Sequence, residues 1–154
     1  MDLWHDADGI EVMSSDLQDT LCSYINNGGK LFIGSDSMLY SKKCTFACVI
    51  ALYCKQQGVY KYYYKKHSVD SAKYKNLHAK IMNEITLSIN IANEILRKFP
   101  EATIEIHADV GSSKKSKTSY MIDQIRGWIL GSGFDYQIKP KSWASSSIAD
   151  WHSK

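Results

Sequence analysis

Four carboxylates stand where an apolar stretch ends or turns a face inward. Asp36 closes the run Lys30-Leu-Phe-Ile-Gly-Ser-Asp36, which follows a Gly-Gly stop. Glu84 lies between Ile81 and Ile85, Asp109 follows the apolar segment Thr103–Ala108, and Asp150 falls in the final stretch Ser145–His152. A carboxylate leaving a core is costly to bury unless something cationic meets it. Four clustered without a cation would repel one another, and one or more would hold a proton. The chemistry that suits such a set is a hard divalent cation with oxygen ligands, Mg2+ or Mn2+. Two such ions about 4 Å apart can cleave a phosphodiester, one activating water and the other stabilising the leaving oxygen.

Each acid also has a plainer reading. Asp36 and Asp109 can cap turns through their own downstream backbone. Glu84 can be a solvated helix acid, with Glu94 as its rival for an inward role, although Glu84 sits beside the apolar stripe. Asp150 can be a surface acid on a frayed end. His107 shares a strand face with Asp109 and reads either as an orienting or proton-shuttling group or as a satisfied structural histidine. His152 is a candidate proton-transfer group or fifth ligand. The loop Gly111–Lys117 carries Lys114, Lys115 and Lys117. These are candidate contacts to a substrate phosphate, or a solvated basic loop. Tyr60, Tyr62 and Tyr64 can stack bases or pack a sheet, with Tyr63 on the opposite face. Ser145-Ser-Ser147 carries no nucleophile signature and reads as a helix cap.

The elements that must position these groups follow from periodicity. Ser15–Gln18 resembles a capping box, and Leu17, Leu21, Tyr24 and Ile25 then repeat at helical spacing until Gly28-Gly29. Ile10–Met13 is a candidate short strand. Lys30–Asp36, Cys44–Tyr53 and Val59–Lys66 read as three strands joined by turns at Met38–Lys43 and Gln56–Gly58, an antiparallel meander. Lysines on the third strand suggest a protected sheet edge. A helix from Asp70 or Ser71 runs to about Lys98 and stops before Pro100. Thr103–Ala108 is a fourth strand, Tyr120–Leu130 a helix, Phe134–Lys139 a fifth strand and Ser145–His152 a short last helix.

With 154 residues the chain reads as one domain, residues 30–154 forming the core and residues 1–29 an N-terminal extension with one helix. The net charge of +3 permits a nucleic-acid partner without requiring one. Four cysteines without a C-x-x-C pair point to reduced thiols and a cytoplasmic location. The longest apolar run, Phe46–Cys54, is too short for a membrane helix. Oligomeric state is left open.

Strand meander, helix, strand, helix, strand, helix is the order of the ribonuclease-H-like fold: α/β, with a mixed five-stranded sheet flanked by helices. The acids fall where that superfamily carries its own, on the first strand, the long helix, the end of the fourth strand and the last helix. The stretches Ile33-Gly-Ser-Asp-Ser37, Ile106-His-Ala-Asp-Val-Gly111 and Trp143–Lys154 resemble the YkuK family, described as predicted ribonuclease-H-like nucleases. The resemblance implies a Mg2+- or Mn2+-dependent nuclease acting on RNA, DNA or a hybrid, with Asp36, Glu84, Asp109 and Asp150 as metal ligands. It also leaves room for a non-catalytic nucleic-acid-binding module. Bacterial ribonucleases H carry a histidine in the loop before the last helix. Here that loop, Lys139-Pro-Lys-Ser-Trp143, has none, so His152 takes its place or the site works without one.

Overall fold

The structure, a computed structural model, describes residues 3–54, 56, 58–111, 113 and 115–154. Among these, six strands form one mixed sheet in the order β1-β4-β3-β2-β5-β6. The strands are β1 (His5–Asp6), β2 (Lys30–Tyr40), β3 (Lys43–Cys54), β4 (Gly58–Asp70), β5 (Thr103–His107) and β6 (Asp135–Gln137). The helices are α1 (Ser14–Asn26), α2 (Leu77–Lys98), α3 (Ile122–Gly131) and a terminal segment that is π-helical over Ala144–Ala149 and continues as α4 (Asp150–Ser153). The α/β mixed sheet is the fold class expected from the element order.

Three local expectations change. β1 pairs with β4 through His5–Tyr64 and Asp6–Tyr63, so β4 is not the free edge that its lysines suggested. Ile10–Met13 forms no strand; Glu11 alone bridges to His5. α1 begins at Ser14 without a side-chain cap, and Gln18 donates to the Ser14 hydroxyl instead of closing a box on Ser15. Leu17, Leu21 and Ile25 of α1 nonetheless enter the same core as the sheet.

β2 is apolar because it is covered on both faces. Leu31 and Ile33 join Ile81, Ile85, Ile89, Ile106 and Ile125 in the main core. Farther along that face Ser35 meets Ser88 and Ser37 meets Glu84, both on α2. Phe32 and Gly34 point the other way, onto Trp143 and the backbone of Ala144 and Ser145. A Cβ at Gly34 would lie 2.4 Å from the Ser145 nitrogen, so only glycine lets the terminal segment sit this close to the sheet.

Where the site forms is set by strand length. β5 pairs with β2 in parallel only as far as His107 opposite Gly34, whereas β2 runs on to Tyr40. The edge of β2 beyond Gly34 therefore lacks its parallel neighbour. Asp36 lies just past that point, and Asp109 just past the end of β5. A crevice at the carboxyl ends of parallel strands is where open α/β sheets place ligands.

Candidate active site

Asp36 is 6% exposed and Glu84 3%. Burial, then the nearby Asp109 charge, then a side-chain hydrogen bond with Asp150 push the Asp36 carboxyl up to about 7. Two carboxyl groups can share a hydrogen bond only if one carries a proton, so this contact and the raised affinity have one origin. Glu84 is also raised well above the usual carboxylate range, chiefly by burial and then by the Asp36 charge. The Ser37 hydroxyl opposes this by donating to Glu84 Oε1 at 2.7 Å, and the Lys80 charge opposes it further. Asp36 and Glu84 thus lie close enough to the other acids picked out in the sequence to feel their charge, Asp36 that of Asp109 and Asp150 and Glu84 that of Asp36 and Asp109.

Their free oxygens are partly met by the chain itself. Asp109 Oδ1 accepts from the Ser146 hydroxyl at 2.8 Å and pairs with Lys139 Nζ at 3.2 Å. Asp150 Oδ2 pairs with Lys154 Nζ at 3.0 Å. Lys80 Nζ donates to the Ser37 carbonyl at 3.4 Å, one helical turn before Glu84. A cavity of about 380 Å³ opens beside Asp36, Glu84 and Asp109, and Lys80, Lys117, Lys139, Ser116 and Thr118 also line it. The larger hollow of about 550 Å³ around Tyr24, Tyr53 and Tyr60 is lined by no acid or histidine among the described residues, and the chemistry points to the smaller one.

Two of the expected groups sit elsewhere. The His152 ring stacks on Tyr64, with centroids 3.7 Å apart, and its Nε2 is 3.0 Å from the Tyr62 hydroxyl. Burial and the Lys66 charge lower its pKa. The structure does not bring it to the carboxylates. Of the loop lysines, Lys117 lines the cavity, Lys115 is exposed, and Lys114 lies outside the described residues.

His107 is buried and bonded on both ring nitrogens. Its Nδ1 accepts the Ala144 amide at 3.1 Å, which leaves Nε2 to donate to Glu105 Oε1 at 2.9 Å. Glu105 in turn accepts from Lys30 at 2.7 Å. Burial raises Glu105, but the bonds from Lys30 and His107 outweigh it and the net pKa is lowered. Burial lowers His107, partly offset by Glu105, which keeps the ring neutral and its Nδ1 able to accept. This chain ties β2 and β5 to the start of the segment that carries Ser146 and Asp150.

A family model described as Ribonuclease H-like matches residues 12–154. The chain belongs to the Ribonuclease H-like family. It is also similar to the Bacillus subtilis (strain 168) protein named Uncharacterized protein YkuK, 25% identical over 171 aligned positions covering 99% of this chain and 97% of that protein. The resemblance carried by the acid-bearing stretches therefore extends over nearly the whole chain.

Whether the acids suit the divalent cations usual for this fold is a matter of donor chemistry and spacing. The donors are hard oxygens, and the raised proton affinity of Asp36 and Glu84 is what unneutralised carboxylates show. Among the described residues, however, no three His, Cys, Asp or Glu side chains form a ready-made metal group. The set fits in donor type and charge, with Lys139 and Lys154 now supplying part of the countercharge. Lys80, Lys139 and Ser37 had no site role on sequence grounds, and Ser146 belongs to the Ser145–Ser147 run expected to cap the last helix, where no side-chain cap forms and Ser146 bonds Asp109 instead. A lysine one turn before Glu84 was the only local signal among them. No described helix is long and apolar enough to cross a membrane.

Proposed function

We propose that the protein is a nuclease that hydrolyses phosphodiester bonds with Mg2+ or Mn2+ held by Asp36, Glu84, Asp109 and Asp150. The supporting observation is the convergence of Asp36, Glu84 and Asp109 on one lysine-lined cavity, with Asp150 beside Asp36, in a family whose fold is associated with nucleic acid. The bound cation would polarise phosphoryl oxygens and lower the pKa of water. The chain's own part is binding and orientation. Lys117 and Lys139 meet phosphate oxygens from the cavity wall. Ser146 holds Asp109, and Ser37 holds Glu84, each through a charge-assisted hydrogen bond. In the reaction the water oxygen bonds to phosphorus and the bond from phosphorus to the 3′ oxygen breaks. That oxygen takes a proton, leaving 5′-phosphate and 3′-hydroxyl ends.

The test incubates wild type and Asp109→Asn with hybrid, double-stranded RNA, single-stranded and branched DNA substrates, plus Mg2+ or Mn2+. Cleavage by wild type that is lost in the variant supports the reading, and cleavage that persists in the variant overturns it. A second reading, a nucleic-acid-binding module without turnover, is favoured by the lysines already paired with Asp109 and Asp150. Tight metal-independent binding with no cleavage of any substrate is its signature.

A further inference from the structure

The sheet face that carries Asp36 continues past the acids toward β4. Cross-strand register puts Asp36, Ala47 and Lys66 in one row and Met38, Thr45 and Ser68 in the next, with Tyr40 opposite Lys43 beyond them. Residues directly opposite in a ladder share a face. The terminal helix covers this face as far as His152 on Tyr64, and Ser153 and Lys154 border what stays open. The opening is a hollow of about 430 Å³. Its floor is the Thr45–Ser68 hydroxyl pair, 2.7 Å apart, and its rim carries Lys66, Lys154 and Tyr40.

Three features set this hollow apart from ordinary surface. Among the described residues, no aspartate or glutamate lines it. Lys66 makes no ion pair among the described residues. Tyr40 is 81% exposed on the same face as Asp36. Two interstrand spacings place Lys66 about 10 Å from Asp36. Asp36, Glu84 and Asp109 themselves line the cavity that holds Lys117 and Lys139, and the hollow lies on the β3–β4 side of Asp36. Lysines therefore flank Asp36 in both directions along this surface.

We propose that this hollow holds the backbone of the same strand whose phosphate meets the carboxylates, with a base stacked on Tyr40. The strand then continues on both sides of the bond that is cut, and cleavage is internal. The inference rests on the nuclease reading above. An enzyme that trims ends needs a feature that recognises a strand terminus, such as a wall on one side of its site. Here both sides are open and carry cations that complement phosphate, and the exposed ring offers a sequence-tolerant stacking platform.

The experiment has a cleavage arm and a binding arm. Covalently closed single-stranded DNA and RNA circles are incubated with the protein and Mn2+ beside linear strands of the same sequence. Opened circles, formed at a rate comparable to cleavage of the linear strands, are expected. Products that arise only from linear strands, shortening from one end, overturn internal cleavage while leaving the nuclease reading intact. In the binding arm, Asp109→Asn with and without added Tyr40→Ala and Lys66→Ala is titrated with oligonucleotides of increasing length. The added substitutions should weaken binding of long strands roughly tenfold and leave the shortest nearly unchanged. Equal affinity at every length, with melting curves showing both proteins folded, overturns the assignment of the hollow. Should nothing be cut, the nuclease reading has failed and the binding arm alone decides what this face does.

Discussion

Asp36 is held in an environment that favours its neutral form, and that has a sign. Its folded pKa of about 7 lies above the ordinary aspartate value of 3.8. Between those values the folded state binds more protons than the unfolded one, so metal-free stability falls as pH rises from about 4 to 7. The slope for one proton is at most about 1.4 kcal/mol per pH unit. Asp36→Asn keeps the shape and removes the charge. The metal-free variant should therefore melt higher than wild type at pH 8, with the gap narrowing toward pH 4; denaturation at the two pH values checks this. Asp36, Glu84 and Asp109 stood out in the sequence because each ends or interrupts an apolar run, whereas Asp150 stood out only through the family resemblance. Lys139 was not, because only tertiary pairing shows that it reaches Asp109. His152 misled for a helical reason: two residues at 3.6 per turn carry it more than half-way round from Asp150, onto Tyr64.

At the scale of elements, the terminal segment is what the rest of the site depends on. It carries Ser146 and Asp150, and it is held by the His107–Ala144 bond and by the close approach at Gly34. Gly34→Ala would set a methyl against backbone atoms of Ala144 and Ser145, which cannot swing aside as a flexible side chain does. The expected cost is about 1–3 kcal/mol from overpacking. Asp150 should also move away from Asp36, so the Asp36 pKa should fall, and carboxylate titration by NMR reads this directly. His107→Ala removes the acceptor for the Ala144 amide and should have a related effect on the same titration. His107→Asn, which can still offer a carbonyl oxygen, should restore part of it; equal titration curves for all three proteins would show that the bond positions nothing. The strands themselves were readable from apolar runs, but their ends were not. β2 continues through Met38–Tyr40 because Tyr40 pairs with Lys43 across a two-residue turn. Ser41 takes a positive φ of 56° there, without the Gly or Asn that marks such turns in a sequence. The helix expected from Asp70 is split: Asp70 caps a single 3-10 turn, and Asn76 caps α2.

Over the whole molecule the mild net charge of +3 conceals a separation. The buried Asp36 and Glu84 lie where β2 outruns β5, with the half-buried Asp109 just past the end of β5, and lysines line the two hollows beside them. A strand bound across this surface should show a salt dependence that Lys117→Ala reduces by about one counterion, whereas Lys115→Ala, which does not line the cavity, should reduce it less. Binding isotherms at several salt concentrations measure both slopes. Metal and proton should also compete for the same oxygens. At pH 6 most Asp36 carboxyls hold a proton, and at pH 8 most do not. A cation must displace that proton, so its affinity should rise over this interval and binding at pH 7 should release part of a proton. Only the folded state assembles the four acids, so the cation should also raise the melting temperature. A hundredfold excess over the dissociation constant is worth about 2.7 kcal/mol, at roughly 2–4 °C per kcal/mol for a chain of this size. The shift should be larger at pH 8 than at pH 6 in wild type, and the difference should shrink in Asp36→Asn, where the buried Glu84 remains the one raised carboxyl among the proposed ligands. Calorimetry in two buffers of different ionisation enthalpy gives the proton count, and melting curves with Mg2+ or Mn2+ give the shifts. A wild-type shift that is the same at both pH values, with no proton released, would mean that the cation binds away from Asp36.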